Sequence, residues 1–115
     1  MQTPIISIVF FLIASVLGAL GQFLYKSGAA KTDGTILSYL ANSRLLGGVF
    51  CYIAVMVLFI AAFKKGGSLT VLYPIYATTF IWGAIIAFYA FSTPIKPINM
   101  LGMLVLILGM YLMGK

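Results

Sequence analysis

The chain has 115 residues, of which 63% are hydrophobic and 7% are charged. A soluble domain of this size leaves much of its surface in water however it folds, so this composition excludes an ordinary soluble protein. Seven Lys or Arg residues are spread among the gaps between apolar runs, which excludes a clustered nucleic-acid surface and is typical of helix ends at a membrane.

A helix needs roughly 20 residues to cross about 30 Å of hydrocarbon, and about 17 is the lower limit. Four apolar runs reach that limit. They predict helices over residues 4–25, 45–63, 68–91 and 97–113. The first run lacks a basic start and is longer than the core of a secretory signal, so we interpret it as a retained helix. The sequence therefore predicts an all-α membrane protein, in which residues 1–115 form one domain of four transmembrane helices with short links.

The first predicted helix carries a polar stripe. Ser7, Ser15 and Gln22 are separated by eight and seven residues, so they share one helical face, which Gly18 and Lys26 extend. Such a stripe has to face protein or a water-filled cavity, because polar groups in hydrocarbon lose their hydrogen bonds. The amide of Gln22 is the most costly of these groups to leave in lipid. A hydrogen bond between helices and contact with a ligand both remain open for it.

The first link, residues 26–44, is long enough for structure of its own, and its stretch TILSYLANSRLL predicts a short amphipathic turn at the interface. Four spans would place Lys26, Lys31, Arg44 and Lys96 on one side of the membrane, and Lys64, Lys65 and Lys115 on the other. Four cations against three hardly bias insertion. Insertion in both orientations, orientation by a partner, and the weak bias of an ordinary small membrane protein all remain open.

The third predicted helix contains a proline surrounded by polar and aromatic residues. Pro74 removes one helical hydrogen bond, and the freed carbonyl needs a neighbouring donor or cavity water. The residues around it are Tyr73, Tyr76, Thr78, Thr79 and Trp82, and Gly83 continues the face of Tyr76 and Thr79. Aromatic hydroxyls near a kink suit sugars or cationic groups. The alternative is that the tyrosines belong to the aromatic belt at the interface.

The fourth predicted helix has a face grooved by glycines. Gly102 and Gly109 are one heptad apart and share that face with Asn99, Met103, Leu106, Met110 and Met113. Because small residues let helices approach closely in lipid, the face predicts a helix–helix or dimer seam, with Gly18 and Gly83 as further packing positions. The alternative is that the methionines line a pliable substrate path.

Acidic residues, histidine and cysteine are scarce or absent. Asp33 is the single acid, Cys51 is the single cysteine, and there is no His. Metal sites, nucleophile triads and paired-carboxylate catalysis lack their components, so we expect no enzyme, no metal and no cofactor. Proton-coupled exchange usually depends on an ionisable group inside the membrane. We therefore do not expect this chain to run that cycle alone.

Three motifs lie in a recognisable order along the four spans: GQFLYKSG ends the first, LYPIY opens the third, and GMLVLILG lies in the fourth. Together they resemble the drug/metabolite transporter superfamily over nearly the whole chain. The small multidrug resistance branch is similar in length, heptad-spaced glycines and balanced charge, which implies an antiparallel dimer with the substrate path between protomers. EamA-like four-helix subunits that flip aminoarabinose linked to undecaprenyl phosphate are more similar at GQFLYKSG and LYPIYATTFIW.

The chain lacks two acidic residues that are typical of the multidrug branch and its relatives. That branch has a glutamate in the middle of the first helix, where this chain has IASVLGAL with Ser15 or Gly18 at the same level. Many relatives carry an acid just before the fourth helix, where this chain has FSTPIKP with Thr93. The proton route of the multidrug branch is therefore not expected here.

These observations favour a flippase-type transporter of the cell (inner or plasma) membrane, for a polyprenyl-phosphate-linked sugar or similar anionic lipid. The headgroup contacts would come from Ser15, Gln22, Tyr73, Tyr76, Thr79 and Trp82, and the phosphate contacts from Lys26, Arg44, Lys64 and Lys65. Membrane anchoring is the alternative role of the cations. Two rival functions are an exporter of organic cations or metabolites, and a non-transporting subunit of a membrane complex.

A monomer of four short helices has little room to enclose a path, so we expect at least a dimer. Its partner would be a second copy, antiparallel if the resemblance holds, or a similar small subunit. The other expected partners are membrane lipid and the polyprenyl-phosphate substrate, with no nucleic acid.

Overall fold

The computed structural model describes residues 3–115, and over that range the chain forms six α-helices and no strand. The helices are α1 (Ile5–Ala29), α2 (Ile36–Leu40), α3 (Ser43–Lys65), α4 (Leu69–Tyr76), α5 (Thr79–Phe91) and α6 (Pro97–Met113). The prediction of an all-α fold is confirmed. Three stretches, α1, α3 and the combined Leu69–Phe91, are long and apolar enough to cross a membrane, and α6 is a shorter apolar helix of 17 residues.

A single amide connects the end of α1 to the beginning of α3. The side-chain nitrogen of Asn42 donates to the carbonyl of Gly28 at 2.7 Å, while its oxygen accepts from the backbone N–H groups of Arg44 and Leu45 at 3.0 and 3.2 Å. These bonds satisfy groups that helix ends leave without partners. As a result α1 continues past its predicted end at residue 25, and α3 begins before residue 45.

The predicted interfacial turn corresponds to α2. Hydrogen bonds among polar residues stabilise the N-terminus of this helix. Thr35 caps α2 by accepting from the N–H of Ser38 at 3.2 Å. The carboxylate of Asp33 accepts from the hydroxyl and the N–H of Thr35 at 2.7 and 2.9 Å, and these bonds lower the pKa of Asp33 to about 2. Ile36 and Leu37 are more than 70% exposed, as residues of an interfacial turn would be in the absence of lipid.

The seam between α1 and α3 is built on two glycines and two tyrosines. A Cβ on Gly48 would lie 2.5 Å from the ring of Tyr25, and a Cβ on Gly21 would lie 2.7 Å from the ring of Tyr52. The two rings stack on each other with centroids 5.4 Å apart. Each tyrosine therefore occupies the space that a missing side chain leaves on the opposite helix.

The opposite end of this seam is closed by aromatic packing and a hydroxyl. Phe11 is fully buried and stacks on Phe59 with ring centroids 4.4 Å apart. The hydroxyl of Ser7 lies 2.9 Å from the carbonyl of Ala62 and 2.8 Å from that of Gly66, so it can donate its hydrogen bond to either of these carbonyls at the end of α3. Ser7, the first residue of the polar stripe predicted on α1, therefore caps the C-terminal end of α3.

The third predicted span is interrupted at Ala77 and Thr78, just after Pro74. The N–H groups of Ala77 and Thr78 donate to the carbonyls of Pro74 and Ile75 at 3.0 and 3.1 Å, which forms one tight turn. The hydroxyl of Thr78 also donates to Ile75 at 2.9 Å. The N–H groups of both residues of the break therefore have acceptors within the chain.

Helix α6 packs mainly against α4 and leaves most of its surface exposed. Met110 reaches the core cluster that contains Phe11 and Leu72. Gly102 and Gly109 lie on the open side, where no atom of the described chain would come within 4 Å of an added Cβ. These glycines do not pack within the chain, and their seam with another chain stays a prediction.

Candidate functional site

A groove runs along α1 where this helix faces α4 and α5. Three cavities of about 360, 340 and 110 Å³ adjoin there, because Tyr76 and Thr79 line the first two while Gln22 and Gly83 line the last two. We call it the tyrosine groove, and its lining residues include Gln22, Lys26, Tyr52, Tyr73, Tyr76, Thr79, Phe80, Gly83 and Phe91. The groove therefore joins one residue of α3 to residues of α1, α4 and α5.

The centre of the tyrosine groove holds a chain of hydrogen bonds. The side-chain nitrogen of Gln22 donates to the hydroxyl of Tyr52 at 2.7 Å, and this hydroxyl donates to the carbonyl of Gly18 at 3.2 Å. The amide nitrogen is thus used within the protein. The amide oxygen of Gln22 accepts no hydrogen bond from residues 3–115, and Gln22 is exposed. That oxygen can accept from a ligand.

Tyr76 reaches the groove from α4 across the surface of Gly18. Its hydroxyl lies where a side chain on Gly18 would be, so the glycine makes room for it. The ring of Tyr76 meets Phe59 edge-on at 5.0 Å and stacks on Tyr73 at 6.5 Å. Thr79 follows the break between α4 and α5 and lines the same cavity. Tyr76 and Thr79, on either side of the break between α4 and α5, therefore line the same cavity as Gln22.

One end of the tyrosine groove carries a cation over an aromatic ring. The ammonium of Lys26 lies 5.0 Å from the ring centroid of Phe91, which packs against Phe23 at 5.6 Å. A cation at this distance from a ring face is attracted by the ring electrons. The contact keeps the charge of Lys26 beside the narrow cavity that Gln22 and Gly83 also line.

Five predicted site residues lie outside the tyrosine groove, namely Ser15, Arg44, Trp82 and the two lysines Lys64 and Lys65. Ser15 is fully buried, and its hydroxyl donates to the carbonyl of Leu12 at 2.6 Å in its own helix. The guanidinium of Arg44 donates to the hydroxyl of Ser27 at 3.1 Å, at the junction of α1 and α3. Trp82 belongs to α5 but lines none of the three cavities.

The predicted phosphate contacts are divided between the two ends of the helices. Lys26 belongs to the last turn of α1, whereas Lys64 and Lys65 belong to the last turn of α3, which runs in the opposite direction. Arg44 is near the end of α1 but contacts Ser27 and not the groove. Lys26 is therefore the cation of this set that lines the groove.

Tyr52 is the functional candidate that the sequence analysis missed. It lies inside the apolar run of α3, and its hydroxyl is at the centre of the groove. The signal in the sequence was Gly48, four residues earlier and hence on the same helical face, which indicates a close approach of another helix beside an aromatic hydroxyl. The sequence does not indicate which helix supplies the polar partner of Tyr52, because that depends on the tertiary structure.

The chemistry of the tyrosine groove is that of binding. It combines an amide, three tyrosine hydroxyls, a threonine hydroxyl and an ammonium with apolar walls. Comparison with protein-family models, curated proteins and solved structures finds no match to this chain. The resemblance to the drug/metabolite transporter superfamily therefore stays a prediction from the sequence motifs.

Proposed function

We propose that this chain spans the cell membrane with four helices and carries a polyprenyl-phosphate-linked sugar, or a similar anionic lipid, from one leaflet to the other. The observation that carries the proposal is the tyrosine groove, in which a row of neutral hydrogen-bonding groups ends at one ammonium. A lipid-linked sugar carries the matching groups, since its sugar offers hydroxyls and is joined to a negatively charged phosphate.

The first step of the argument is access from the side. Gln22, Tyr73 and Phe80 line the groove and are exposed, so the groove opens on the flank of the chain. In a bilayer that flank faces lipid or another protein. A substrate with a long hydrocarbon tail can enter such a groove with its headgroup while the tail stays in the membrane.

The second step is recognition of the sugar. Gln22, Tyr76 and Thr79, which carry an amide and two hydroxyls, line one cavity of about 340 Å³. Sugar hydroxyls both donate and accept, which matches this set of groups. The ring of Phe80 offers an apolar surface beside them.

The third step is neutralisation of the phosphate. Lys26 supplies an ammonium at one end of the groove, and Phe91 holds it there. Asp33, the single acid of the chain, lies in the link after α1 and not in a spanning helix. An anionic group therefore meets a cation and no competing carboxylate in this groove.

The proposed assembly is at least a dimer, because the tyrosine groove is open along its flank. A second copy, antiparallel or not, or a similar small subunit would close it and supply the opposite wall. The exposed glycine face of α6, with Gly102 and Gly109, offers a surface on which such a partner can pack closely.

A second candidate function is export of organic cations. The stacked rings of Tyr73 and Tyr76, with Phe80 in the same cavity, form an aromatic surface that suits a cation. Lys26 opposes this function, because a like charge at the end of the groove repels the substrate. The two functions are separated by the effect of removing that charge.

The test is binding and flipping of a fluorescent polyprenyl-phosphate sugar by the purified chain in liposomes. Lys26→Gln removes a charge-assisted contact, so we expect the affinity to fall by about tenfold. Lys31→Gln removes a cation just beyond the same helix but outside the groove, and it serves as the matched control. Arg44→Gln should behave like the control, because its guanidinium binds Ser27.

Two results would contradict the proposal. One is equal loss of affinity in the Lys26 and Lys31 variants, which would indicate general attraction to the surface. The other is tighter binding of a quaternary ammonium probe when Lys26 is replaced, together with no binding of the sugar lipid by the unmodified chain, which would favour the exporter. The same binding is measured on the chain alone and on any complex that co-purifies with it, so that a missing partner subunit is distinguished from a chain that does not bind the lipid.

A further inference from the structure

A separate cavity of about 750 Å³ lies between α1, α4 and α6. Its deep wall is aliphatic and consists of Ile8, Val71, Ile75, Ile107 and Met110, while Thr3, Tyr111 and Lys115 stand at its mouth. We call it the α6 wedge. Its volume falls within the range of roughly 300–1,000 Å³ typical of ligand pockets.

The α6 wedge is distinct from the tyrosine groove, because α4 separates them. Val71 and Ile75 are four residues apart and so lie on one face of α4, which borders the wedge. Tyr73 and Tyr76 point to the other side and line the groove. The proposed transport function does not use the wedge.

The lining of the wedge changes from apolar to polar along its length. Ile75 is only 7% exposed and belongs to the buried core, whereas Ile107, on the α6 side of the wedge, is 45% exposed. At the mouth, the ammonium of Lys115 lies 5.0 Å from the ring centroid of Tyr111. An amphiphile with a hydrocarbon tail and a polar head matches this order.

The charge at the mouth favours a negative headgroup. A Cβ on Gly67 would lie 2.9 Å from Thr3, which places the turn after Lys64 and Lys65 beside the same mouth. This end of the chain therefore carries Lys64, Lys65 and Lys115. The single acid, Asp33, lies beyond the other end of α1.

We propose that the α6 wedge holds one acyl chain of an anionic phospholipid, with the phosphate beside Lys115. A helix of a second copy fits less well, since the wedge ends at the ammonium of Lys115 and a second copy carries the same net charge of +6. A single acyl chain is thinner and flexible, and the thioether of Met110 can adapt to it. The lipid would fill the gap between α6 and the rest of the protein.

The experiment is native mass spectrometry of the purified full chain with added phosphatidylglycerol or phosphatidylcholine. We expect the chain to retain phosphatidylglycerol about tenfold better, because the phosphate without a compensating choline charge gains a charge-assisted contact. Ile107→Trp fills the wedge and should abolish retention of both lipids. Lys115→Gln, at an exposed position, should leave retention of phosphatidylcholine unchanged and reduce the preference for phosphatidylglycerol several-fold, since Lys64 and Lys65 remain at this end.

Matched controls keep the result specific. Leu108→Trp places the same indole on α6 outside the wedge, and Lys96→Gln removes a cation at the other end of the molecule; both should retain lipid as the unmodified chain does. Equal retention of the two lipids by the unmodified chain would overturn the proposal. So would unchanged retention in Ile107→Trp, or a dimer that dissociates in that variant, which would identify a second copy as the occupant.

Discussion

The seam between α1 and α3 and the outer face of α6 both carry spaced glycines. The glycines of the seam are packed against another helix, whereas those of α6 are not, within residues 3–115. Gly21 and Gly48 are buried, and the rings of Tyr52 and Tyr25 fill the space beside them. Gly102 and Gly109 have no neighbour within 4 Å of an added Cβ in the described chain. A small-residue pattern therefore indicates that close packing is possible on a face, but it does not indicate whether that face is used within the chain.

The difference between the two regions has a physical cause. In lipid, an apolar helix face gains little by moving from acyl chains to another apolar face, so packing and hydrogen bonds decide which helices associate. The seam supplies both, through the stacked tyrosines and the bond from Gln22 to Tyr52. The outer face of α6 supplies only smooth glycine surface, which needs a complementary partner.

The largest effect should come from adding a methyl group to the seam. Gly48→Ala places a Cβ against the ring of Tyr25, so the ring or the helix has to shift, and overpacking of this kind costs about 1–3 kcal/mol. Gly102→Ala is the matched control and should be neutral or stabilising by up to about 1 kcal/mol, because alanine favours the helix and meets nothing. Unfolding in detergent at a dilution that favours monomer measures both, and equal effects would refute the contrast.

The next effect should concern association and not folding. A Cβ at Gly109 meets nothing within 4 Å, so Gly109→Leu should leave the monomer as stable as before or up to about 1 kcal/mol more stable, because leucine favours the helix. If that face is the dimer seam, the dissociation constant should rise by about tenfold or more, which corresponds to roughly 1.4 kcal/mol. Energy transfer between labelled copies in liposomes measures it. An unchanged constant would remove this face from the proposed interface.

A smaller effect should follow from breaking the hydrogen bonds of the tyrosine groove. Tyr52→Phe keeps the ring stacked on Tyr25 but loses the bonds to Gln22 and Gly18, and bonds between membrane helices average about 0.6 kcal/mol, with about 1.7 as the largest. Tyr89→Phe, at an exposed ring on α5, is the matched control. Indistinguishable unfolding of the two variants would show that the bond chain contributes nothing to stability.

The smallest effect should be local to α2 and depend on pH. Folding lowers the pKa of Asp33 from 3.8 to about 2, so its contribution is present above about 3.8 and is lost as the pH falls towards about 2. We expect the amide chemical shifts of Thr35 and Ser38 to be constant from neutral pH to about 5 and to change at lower pH. Asp33→Asn should weaken this turn at neutral pH, while Lys31→Gln should leave it intact. Global unfolding should not respond.

Composition and periodicity were sufficient for the helical fold, because a membrane solvent forces every long apolar run to satisfy its backbone internally. The ends of the helices were harder to predict from the sequence. The amide of Asn42 extends α1 to Ala29, and the break at Ala77 divides the third span. Both depend on which polar groups meet in space, and the spacing of apolar residues does not contain that information.

The sequence by itself determined that the chain is helical, apolar and without an acid in its spans, since these follow from the residues and from the cost of leaving polar groups in hydrocarbon. Only the tertiary structure decided which polar residues share a site. It brought Gln22, Tyr52 and Tyr76 to one cavity, and it placed Ser15 on a carbonyl of its own helix and Arg44 on Ser27 of α1, away from that cavity. The physical reason is that helices in lipid associate through specific packing, which a single-helix pattern cannot specify.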